Sequence, residues 1–448
     1  MEEHRGQWSS KIGFIFAAAG SAIGLGNIWR FPYVAGANGG AAFVLLYLIF
    51  VVLIGIPYMF AELALGRSVQ RNPVGAIAAI RPDWSWKWVG YLGVLTGVGI
   101  LSFYGVVAGW TFGYIFKMAV GEVGDFTSFI ADPWLNILLF ALFMILTASI
   151  VYGGVEGGLE KWSKILMPIL FFLLLVLILY SNSLSGSAKG LVFYLKPDFS
   201  KLSGKIALEA LGQAFFSLSL GMGLMITYGS YLSKKENIIT SAIYIGLFDT
   251  IIAIMAGLII FPALFAMGAN PDEGPALVFM VLPQLFTQMP GGIIIGTLFF
   301  ILLSVAALTS TISLLEVQVA FLVDERRYNR KVIVWIAAAF TFLVGIPSTL
   351  SQGASDFFSN FGLLPKRLID PDFLSQISFI FGTFSLAFGA LMLSIFVGWI
   401  WGSNKASQEI AQGAPAFVKT SVLWSFMIRY FIPLVIFILL LNIFGLFD

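Results

Sequence analysis

Residues Gly20–Pro32 read GSAIGLGNIWRFP, a polar and glycine-rich segment inside a long apolar run. The run begins near Ile12 and resumes after Asn38, so the segment falls where a membrane helix would carry leucine and valine. Glycine and proline weaken helices, and a charged side chain is costly inside a bilayer. A chain that places such residues at bilayer depth is expected to interrupt its helix there and to use the exposed backbone for binding.

Composition predicts an all-α integral membrane protein. The chain has 448 residues, of which 59% are hydrophobic and 11% charged, whereas soluble proteins are about one quarter charged. Apolar runs of about 18 or more residues recur along the chain, as in membrane-spanning helices. There is no cysteine and only one histidine, His4. Disulfides and cysteine chemistry are excluded, and no catalytic constellation of an enzyme is present.

We expect a single transporter domain over residues 1–448 with eleven membrane spans. Sixteen Lys and Arg residues lie inside and seven outside if the N-terminus is cytoplasmic, which predicts an inside N-terminus and an outside C-terminus. The absence of N-x-[ST] acceptors favours a bacterial cytoplasmic membrane. The predicted spans are approximately 11–36, 40–65, 88–117, 134–152, 163–182, 205–231, 238–268, 291–323, 331–347, 373–401 and 421–446.

Two spans carry short glycine interruptions, GSAIGLGN in span 1 and SLSLGMG at Ser217–Gly223 in span 6. Span 6 comes five spans after span 1, and because this offset is odd the two segments cross the membrane in opposite directions. Paired discontinuous helices in inverted repeats indicate a transporter site near the midplane. The repeats would cover about 11–182 and 205–401, with an extra helix at about 421–446. Close helix packing by glycine is the alternative interpretation, but two clusters in inverted positions favour broken helices.

An interrupted helix offers both signs of partial charge without a charged side chain. Freed carbonyl groups bind cations, and the N–H groups at the start of a half-helix bind anions. A zwitterionic amino acid accompanied by sodium ions matches this pair of partial charges.

Several segments resemble the neurotransmitter:sodium symporters, and the resemblance covers nearly the whole chain. Within that family the chain most resembles the bacterial multi-hydrophobic amino-acid transporters, because it has eleven predicted spans and the sequence GMG in span 6. The segments are GSAIGLGNIWRFPYVAGANGGAAFVLLY from Gly20, GIPYMFAELALGR at Gly55–Arg67, the Leu101–Trp110 text, QAFFSLSLGMG at Gln213–Gly223 and ALTSTIS at Ala307–Ser313. The resemblance implies symport of neutral hydrophobic L-amino acids such as Trp, Leu and Val by alternating access, with no nucleic acid and no obligate protein partner.

The resemblance also implies two sodium sites built from oxygen ligands. The first would use Ala22, Asn27, Ser217 and Asp249, and the second would use Gly20, Ile23, Ala306, Thr309 and Ser310. Taken singly, the hydroxyl groups could instead bond the preceding helical turn. Tyr47, Gln213 and Ser217 match parts of the chloride site of chloride-dependent relatives. Because a carboxylate within a span is expected to be functional, Asp249 would supply the negative charge, and no chloride requirement is predicted.

The implied substrate site surrounds the two interruptions. The substrate carboxylate would meet the N–H groups of Leu25 and Gly26 and the hydroxyl of Tyr104. The ammonium would meet carbonyl groups of Ala22, Phe216 and Ser217, and the side chain of Ser219. Phe216 matches the aromatic lid of the family. The side-chain compartment carries no charge, which disfavours acidic and basic substrates; its residues would be Ile23, Ile100, Tyr104, Phe216, Met222, Ser310 and Leu314.

Gating residues are implied at both ends. Arg30 would close an outer gate, but the position of its acidic partner falls near Ser378, and Asp370 and Asp372 come too early, so the partner is left open. At the inner end, Arg5 and Trp8 would form a latch with Asp324, with Tyr231 at the end of span 6.

Span 5 carries a second signal at its inner end. Gly158 and Pro168 both weaken the helix, so this part of the span is expected to unwind and open a water path to the second sodium site, although a static kink is equally compatible with the spacing. Glu62 is expected to bond the exposed backbone of the broken helices.

The residues also bear on two other functions. A channel would need a continuous polar pore, whereas the polar residues cluster at the midplane. A non-transporting sensor or binding protein of the same fold remains the alternative to a symporter.

Overall fold

The computed structural model describes residues 6–271 and 277–446, and every regular element in these ranges is helical. Arg5 lies outside the described residues. The main helices are, in chain order, α1 (Lys11–Ala22), α2 (Gly26–Ala37), α3 (Ala41–Val69), α4 (Trp84–Ala119), α5 (Pro133–Tyr152), α6 (Val155–Ser183), α7 (Gly204–Ser217), α8 (Leu224–Gly229), α9 (Ile238–Ala266), α10 (Gly292–Arg326), α11 (Arg330–Leu350), α12 (Phe373–Gln412) and α13 (Ser421–Ile443).

Shorter helices connect these elements. They are Pro73–Ile80, Phe126–Ala131, Ser187–Leu195, Phe199–Lys201, Leu277–Gln288, Asp356–Ser359 and Pro415–Lys419.

Nine helices in the described ranges are long and apolar enough to cross a membrane, and the bent pair α1–α2 makes a tenth. The remaining predicted span, 205–231, consists of α7 and α8, each too short to cross alone. The total of eleven spans therefore stays a prediction, whereas the interruption of the first and sixth spans is confirmed.

The first interruption bends the chain by 50° between α1 and α2. Helix α1 ends because Ile23 takes an extended backbone conformation with ψ of 107°. The chain then enters α2 through a wide, π-helical turn at Gly26–Arg30. The GSAIGLGN text thus ends one helix and begins the next within a few residues.

The second interruption has a different local cause. Ser219, Gly221 and Gly223 all have left-handed backbone conformations, with φ of 54°, 81° and 73°. Left-handed residues cannot continue a right-handed helix, and serine adopts this conformation far less readily than glycine. The SLSLGMG segment is therefore a non-helical connection between α7 and α8.

Both interruptions lie in the interior of the helical bundle. Helices α4 and α10 pack along one another over much of their length, and α1 packs against α6, α9 and α10. Large apolar side chains are exposed on the outer helices, among them Leu179 on α6 and Val422 on α13. An apolar outer surface around a polar centre is the arrangement expected of helices that contact lipid.

Candidate functional site

The break between α1 and α2 is held against α4 and α10. The backbone N–H of Leu25 donates to the hydroxyl of Tyr104 at 2.8 Å, so these two predicted carboxylate-binding groups lie together. A Cβ atom at Gly24 would overlap the hydroxyls of both Ser310 and Tyr104. Only glycine allows the interrupted backbone to approach these side chains so closely.

The break between α7 and α8 is held by Glu62 of α3. Its side chain is fully buried, and Oε1 accepts the backbone N–H of Gly221 at 2.9 Å. A buried N–H without an acceptor would cost about 1–3 kcal/mol. The predicted role of Glu62, bonding the exposed backbone of a broken helix, is confirmed.

Asp249 of α9 is fully buried at the centre of an oxygen cluster. Its carboxylate accepts bonds from the Tyr47 hydroxyl at 2.9 Å, the Ser217 hydroxyl at 2.8 and 2.9 Å, and Nδ2 of Asn27 at 2.8 Å. Oδ1 of Asn27 accepts instead the backbone N–H of Gly24 at 3.1 Å. The structure thus brings three of the four residues predicted for the first sodium site into direct contact.

Gln213 does not join this carboxylate cluster through a hydrogen bond. Its Nε2 donates to the carbonyl of Gly26 at 2.9 Å, which places it beside the first interruption. Of the three residues that match parts of a chloride site, Tyr47 and Ser217 therefore contact Asp249, and Gln213 contacts the backbone of the first interruption.

A second oxygen cluster joins α1 to α10. Thr309 donates to the carbonyl groups of Ile23 at 3.2 Å and Ala306 at 2.9 Å, and Ser310 lies 3.4 Å from the same Ile23 carbonyl. A Cβ atom at Gly20 would lie 3.2 Å from the sulfur of Met167 and 3.4 Å from Thr309. All five residues predicted for the second sodium site therefore lie at this α1–α10 contact, next to α6.

The donors of both clusters suit a monovalent cation. Across the described part of the chain, no three Asp, Glu, His or Cys side chains come together in a metal-binding group. The clusters consist of carbonyl groups, hydroxyls, one amide and one carboxylate, which are hard oxygen ligands. A single carboxylate balances a single positive charge.

A small cavity of about 30 Å³ lies between the two interruptions. Tyr104, Phe216 and Ser310 contribute aromatic rings and a hydroxyl, and the wall contains no charged side chain. Ile23, predicted for the side-chain compartment, is not in this wall; Ser21, Gly24 and Leu224 are additional wall residues. The complete wall is Ser21, Ala22, Gly24, Gly26, Ile100, Tyr104, Phe216, Ser219, Met222, Leu224, Ser310 and Leu314.

A larger cavity of about 220 Å³ lies beyond Phe216. The Phe216 ring, Tyr104 and Gly26 belong to the walls of both cavities, so Phe216 separates them. Arg30 and Ser378 also line the larger cavity.

Arg30 contacts an aromatic ring rather than an acid. Its guanidinium carbon lies 4.6 Å from the centre of the Phe216 ring, a cation–π contact. Asp372 instead caps the start of α12 by accepting the N–H of Ser375. Within the described residues Arg30 forms no salt bridge, and its partner is the Phe216 ring rather than the acidic residue that the resemblance implies.

The opposite end of the molecule, called here the Trp8 face, is closed by aromatic side chains. The Trp8 indole donates to the carbonyl of Tyr228 at 3.1 Å, and its ring packs edge-on against Tyr228 and Tyr231. The Tyr231 hydroxyl donates to Glu316 at 2.6 Å, and Glu316 pairs with Arg330 at 2.5 Å. Sequence reasoning missed Glu316 and Arg330, which lie 14 residues apart on two helices.

Asp324 also lies on the Trp8 face. Its carboxylate accepts the backbone N–H of Asn72 at 2.8 Å, the residue that caps the short helix Pro73–Ile80. The predicted pairing of Asp324 with Arg5 stays a prediction, because Arg5 lies outside the described residues.

Helix α6 begins at the Trp8 face with π-helical turns over Val155–Glu160. Gly158 packs on the backbone of Gly153 and Ile150, and Pro168 lies inside the continuing helix. The unwinding of this end stays a prediction.

Glu160 ties the chain before α1 to α6. It accepts bonds from the hydroxyls of Ser9 and Ser10, each at 2.7 Å, and pairs with Lys164 at 2.6 Å. No sequence signal singled out this contact, because its residues are about 150 positions apart.

Interrupted membrane spans around a central cavity define a secondary transporter. The Sodium:neurotransmitter symporter family model matches residues 5–125 and 134–447, and the chain belongs to this family. It is therefore a multi-pass membrane protein and a sodium-coupled symporter by family, not an enzyme.

Relatives at substantial identity support the assignment. The chain is 40% identical over 452 residues to the uncharacterized sodium-dependent transporter YhdH of Bacillus subtilis, with 98% of each chain covered. It is 35% identical to an uncharacterized sodium-dependent transporter of Haemophilus influenzae, again with 98% of each covered. The crystal structure of MhsT in complex with L-phenylalanine matches with 43% identity and a TM-score of 0.87, covering 98% of this chain and 100% of that one. The predicted transporter fold is thereby confirmed.

Proposed function

We propose that this protein imports neutral hydrophobic L-amino acids, such as Trp, Leu and Val, together with two sodium ions. The uncharged wall of the central cavity carries this proposal. An acidic or basic side chain would be desolvated there without a partner, at considerable cost. The MhsT structure contains L-phenylalanine, which is a substrate of the proposed class.

The substrate backbone is recognised by the interrupted helices. The N–H groups of Leu25 and Gly26 and the Tyr104 hydroxyl hold the carboxylate, and the carbonyl groups of Ala22, Phe216 and Ser217, with the Ser219 hydroxyl, hold the ammonium. The contact between Leu25 and Tyr104 supports this arrangement, because a carboxylate would take over the hydrogen bond that now joins them.

The first sodium ion binds at the Asp249 cluster. Nδ2 of Asn27 faces Asp249 and Ser217, so ligation by the Asn27 oxygen requires a half-turn of the amide. That half-turn breaks the bond from Gly24 to Oδ1. Sodium binding is thereby coupled to the backbone of the first interruption, where the substrate binds.

The second sodium ion binds among Gly20, Ile23, Ala306, Thr309 and Ser310. Each positive charge that enters across 100 mV contributes about 2.3 kcal/mol. Two ions contribute about 4.6 kcal/mol, enough for more than thousandfold accumulation at about 1.4 kcal/mol per tenfold.

Alternating access follows from the two ends of the cavity. We assign the Trp8 face to the cytoplasm of a bacterial inner membrane, with the C-terminus outside. Opening there requires the Trp8 contacts to break, after which the unwinding of α6 between Gly158 and Pro168 admits water to the second ion site. At the other end, Phe216 and Arg30 must move for the substrate to enter.

The transport experiment uses the purified full chain in liposomes. We expect sodium-gradient-driven uptake of labelled Trp, Leu and Val, little uptake of Glu, and no accumulation without sodium. Preferential uptake of Glu would contradict the proposed substrate class. Sodium-dependent binding without uptake would instead identify a non-transporting sensor of the same fold.

Chloride is tested separately by replacing it with gluconate on both sides of the membrane. The carboxylate of Asp249 already supplies a fixed negative charge beside Tyr47 and Ser217. Uptake should therefore be unchanged in gluconate, and a large loss of rate would refute chloride independence.

A further inference from the structure

A groove of about 490 Å³ separates the last turns of α12 from the first turns of α13. This volume lies in the range of small-molecule binding sites. The groove is distant in sequence from the transport site, and none of its residues belongs to the central cavity. Its lining residues are Asn404, Ser407, Gln408, Ala411, Val418, Ser421, Val422, Ser425, Phe426, Arg429 and Tyr430; we call it the Arg429 groove.

Arg429 lies eight residues after the start of α13, about 12 Å along the helix at 1.5 Å per residue. An arginine within a membrane span requires an anionic or polar partner. Its Nε donates to the carbonyl of Gly398 on α12 at 3.0 Å, which fixes the side chain beside the groove. In the described part of the chain this is the only hydrogen bond of the guanidinium, so both terminal nitrogens retain their donors.

The other lining residues favour an anion with polar substituents. Six of them carry hydroxyl or amide side chains, and none carries a carboxylate; the six are Asn404, Ser407, Gln408, Ser421, Ser425 and Tyr430. The nearby carboxylate of Glu409 is buried on the other side of α12, where it pairs with Arg67 and Lys234. The groove therefore has an uncompensated positive charge flanked by neutral hydrogen-bonding groups.

The rim of the groove is apolar and exposed. Val422 is 81% exposed and Phe426 is 56% exposed, both on the outer surface of α13. The groove opens near the Trp8 face, because Gly413 at the end of α12 packs on the backbone of Glu236, five residues after Tyr231. A ligand for this groove needs an anionic head group and apolar chains that continue along the helix surface.

We propose that the Arg429 groove binds the head group of an anionic phospholipid. The guanidinium binds the phosphodiester through its two terminal nitrogens, a geometry that arginine favours with phosphate. The hydroxyls and amides bind a polyol head group, and the acyl chains lie over Val422 and Phe426. Basic pockets between membrane helices are known sites for such lipids. This proposal does not depend on the proposed transport function.

Native mass spectrometry of the full chain in detergent tests the proposal, with dioleoyl phosphatidylglycerol and dioleoyl phosphatidylcholine as probes. We expect one tightly bound phosphatidylglycerol and weaker phosphatidylcholine binding. Arg429→Gln should weaken phosphatidylglycerol binding about tenfold, because it removes charge-assisted hydrogen bonds. Ser425→Phe keeps the arginine but fills the groove, and should weaken binding similarly. Lys419→Gln removes the same charge from a residue outside the lining and should leave binding unchanged.

The thermal unfolding temperature of each variant, measured with and without each lipid, provides the second readout. If Arg429→Gln fails to fold, Ser425→Phe decides the outcome. Equal phosphatidylglycerol binding by wild type and Ser425→Phe would overturn the proposal. Equal binding of the two lipids by the wild type would also overturn it, as would full reproduction of the lipid's stabilisation by inorganic phosphate alone, which would indicate a small-anion site.

Discussion

Removal of the Trp8 side chain should open the Trp8 face of the protein. Trp8 is half-buried, and its indole bonds the Tyr228 carbonyl at 3.1 Å while the ring packs against Tyr228 and Tyr231. These contacts link the chain before α1 to the end of the sixth span. They must be lost when the two segments separate, so Trp8→Ala favours the open state relative to the closed one.

The size of the effect follows from the contacts. The hydrogen bond contributes about 0.5–1.5 kcal/mol, and each aromatic contact about 0.5–1.5 kcal/mol. One hydrogen bond and two aromatic contacts together stabilise the closed state by about 1.5–4.5 kcal/mol. Because the Trp8 ring is only half-buried, we use the lower part of this range, about 1.5–3 kcal/mol. At about 1.4 kcal/mol per tenfold, the open population should rise about 10- to 150-fold.

The assay uses the absence of cysteine from the chain. Ser313 is 1% exposed and accepts a bond from the Tyr228 hydroxyl at 2.8 Å, so it lies beneath the Trp8 contacts. In a Ser313→Cys background the introduced thiol is the only one, and its reaction rate with a water-soluble maleimide reports opening. Trp8→Ala should raise this rate by the same factor, about 10- to 150-fold.

Trp84 provides a matched control, since its ring is 66% exposed. Trp84→Ala should leave the labelling rate of Ser313→Cys unchanged. An unchanged rate in Trp8→Ala would show that the aromatic contacts do not hold the Trp8 face closed, and the proposed gate would have to be abandoned.

Three further predictions concern the interrupted helices and the opposite gate. Glu62→Leu leaves the buried N–H of Gly221 without an acceptor and should reduce stability by about 1–3 kcal/mol in detergent unfolding, whereas Glu62→Gln retains an acceptor oxygen and should lose less; equal losses would contradict the backbone role. Gly24→Ala places a methyl group against two buried hydroxyls and should abolish sodium-dependent substrate binding in equilibrium dialysis, so wild-type affinity would refute the close-approach argument. Ser378→Glu introduces an acid into the cavity that contains Arg30 and should slow substrate dissociation in stopped-flow measurements, with Ser378→Gln as the uncharged control; equal rates in the two variants would exclude an ion pair.

The interruptions were predictable because their causes are local. Glycines clustered in GSAIGLGN and SLSLGMG mark backbone conformations that leucine or valine would oppose, and the structure has left-handed residues at Gly221 and Gly223. The exposed N–H group created by such a break needs a buried acceptor, so Glu62 could be assigned from its type and setting alone. The backbone breaks follow from residues within one or two turns, whereas the Glu62 bond joins residues 159 positions apart and was predictable only because a buried N–H group requires an acceptor.

The gates were less predictable because their contacts join distant parts of the chain. Arg30 finds Phe216 at 4.6 Å, but an aromatic partner leaves no charge pattern in the sequence. Glu316 and Arg330 pair across two helices. Glu316 is a charge inside an apolar run, but Arg330 is one of several charged residues in the segment DERRYNRK at 324–331 and nothing in the sequence distinguishes it from its neighbours. A buried charge in such text signals that a partner exists, yet it does not say which residue that partner is.

The contacts between α1 and α6 constrain how the second ion site opens. Before α1, Ser9 and Ser10 bind Glu160 at the start of α6; near the end of α1, Gly20 packs against Met167, one residue before Pro168. The second ion site therefore lies at the C-terminal end of α1, which Met167 covers. Ser9 and Ser10 hold the N-terminal end of α1 to α6. Because α1 is held to α6 at both ends, it cannot tilt away from a rigid α6 without breaking one set of contacts. A local unwinding of α6 between Gly158 and Pro168 would let the contacts at the two ends of α1 break one after the other instead of together. This is a physical reason for a helix-weakening proline at that position.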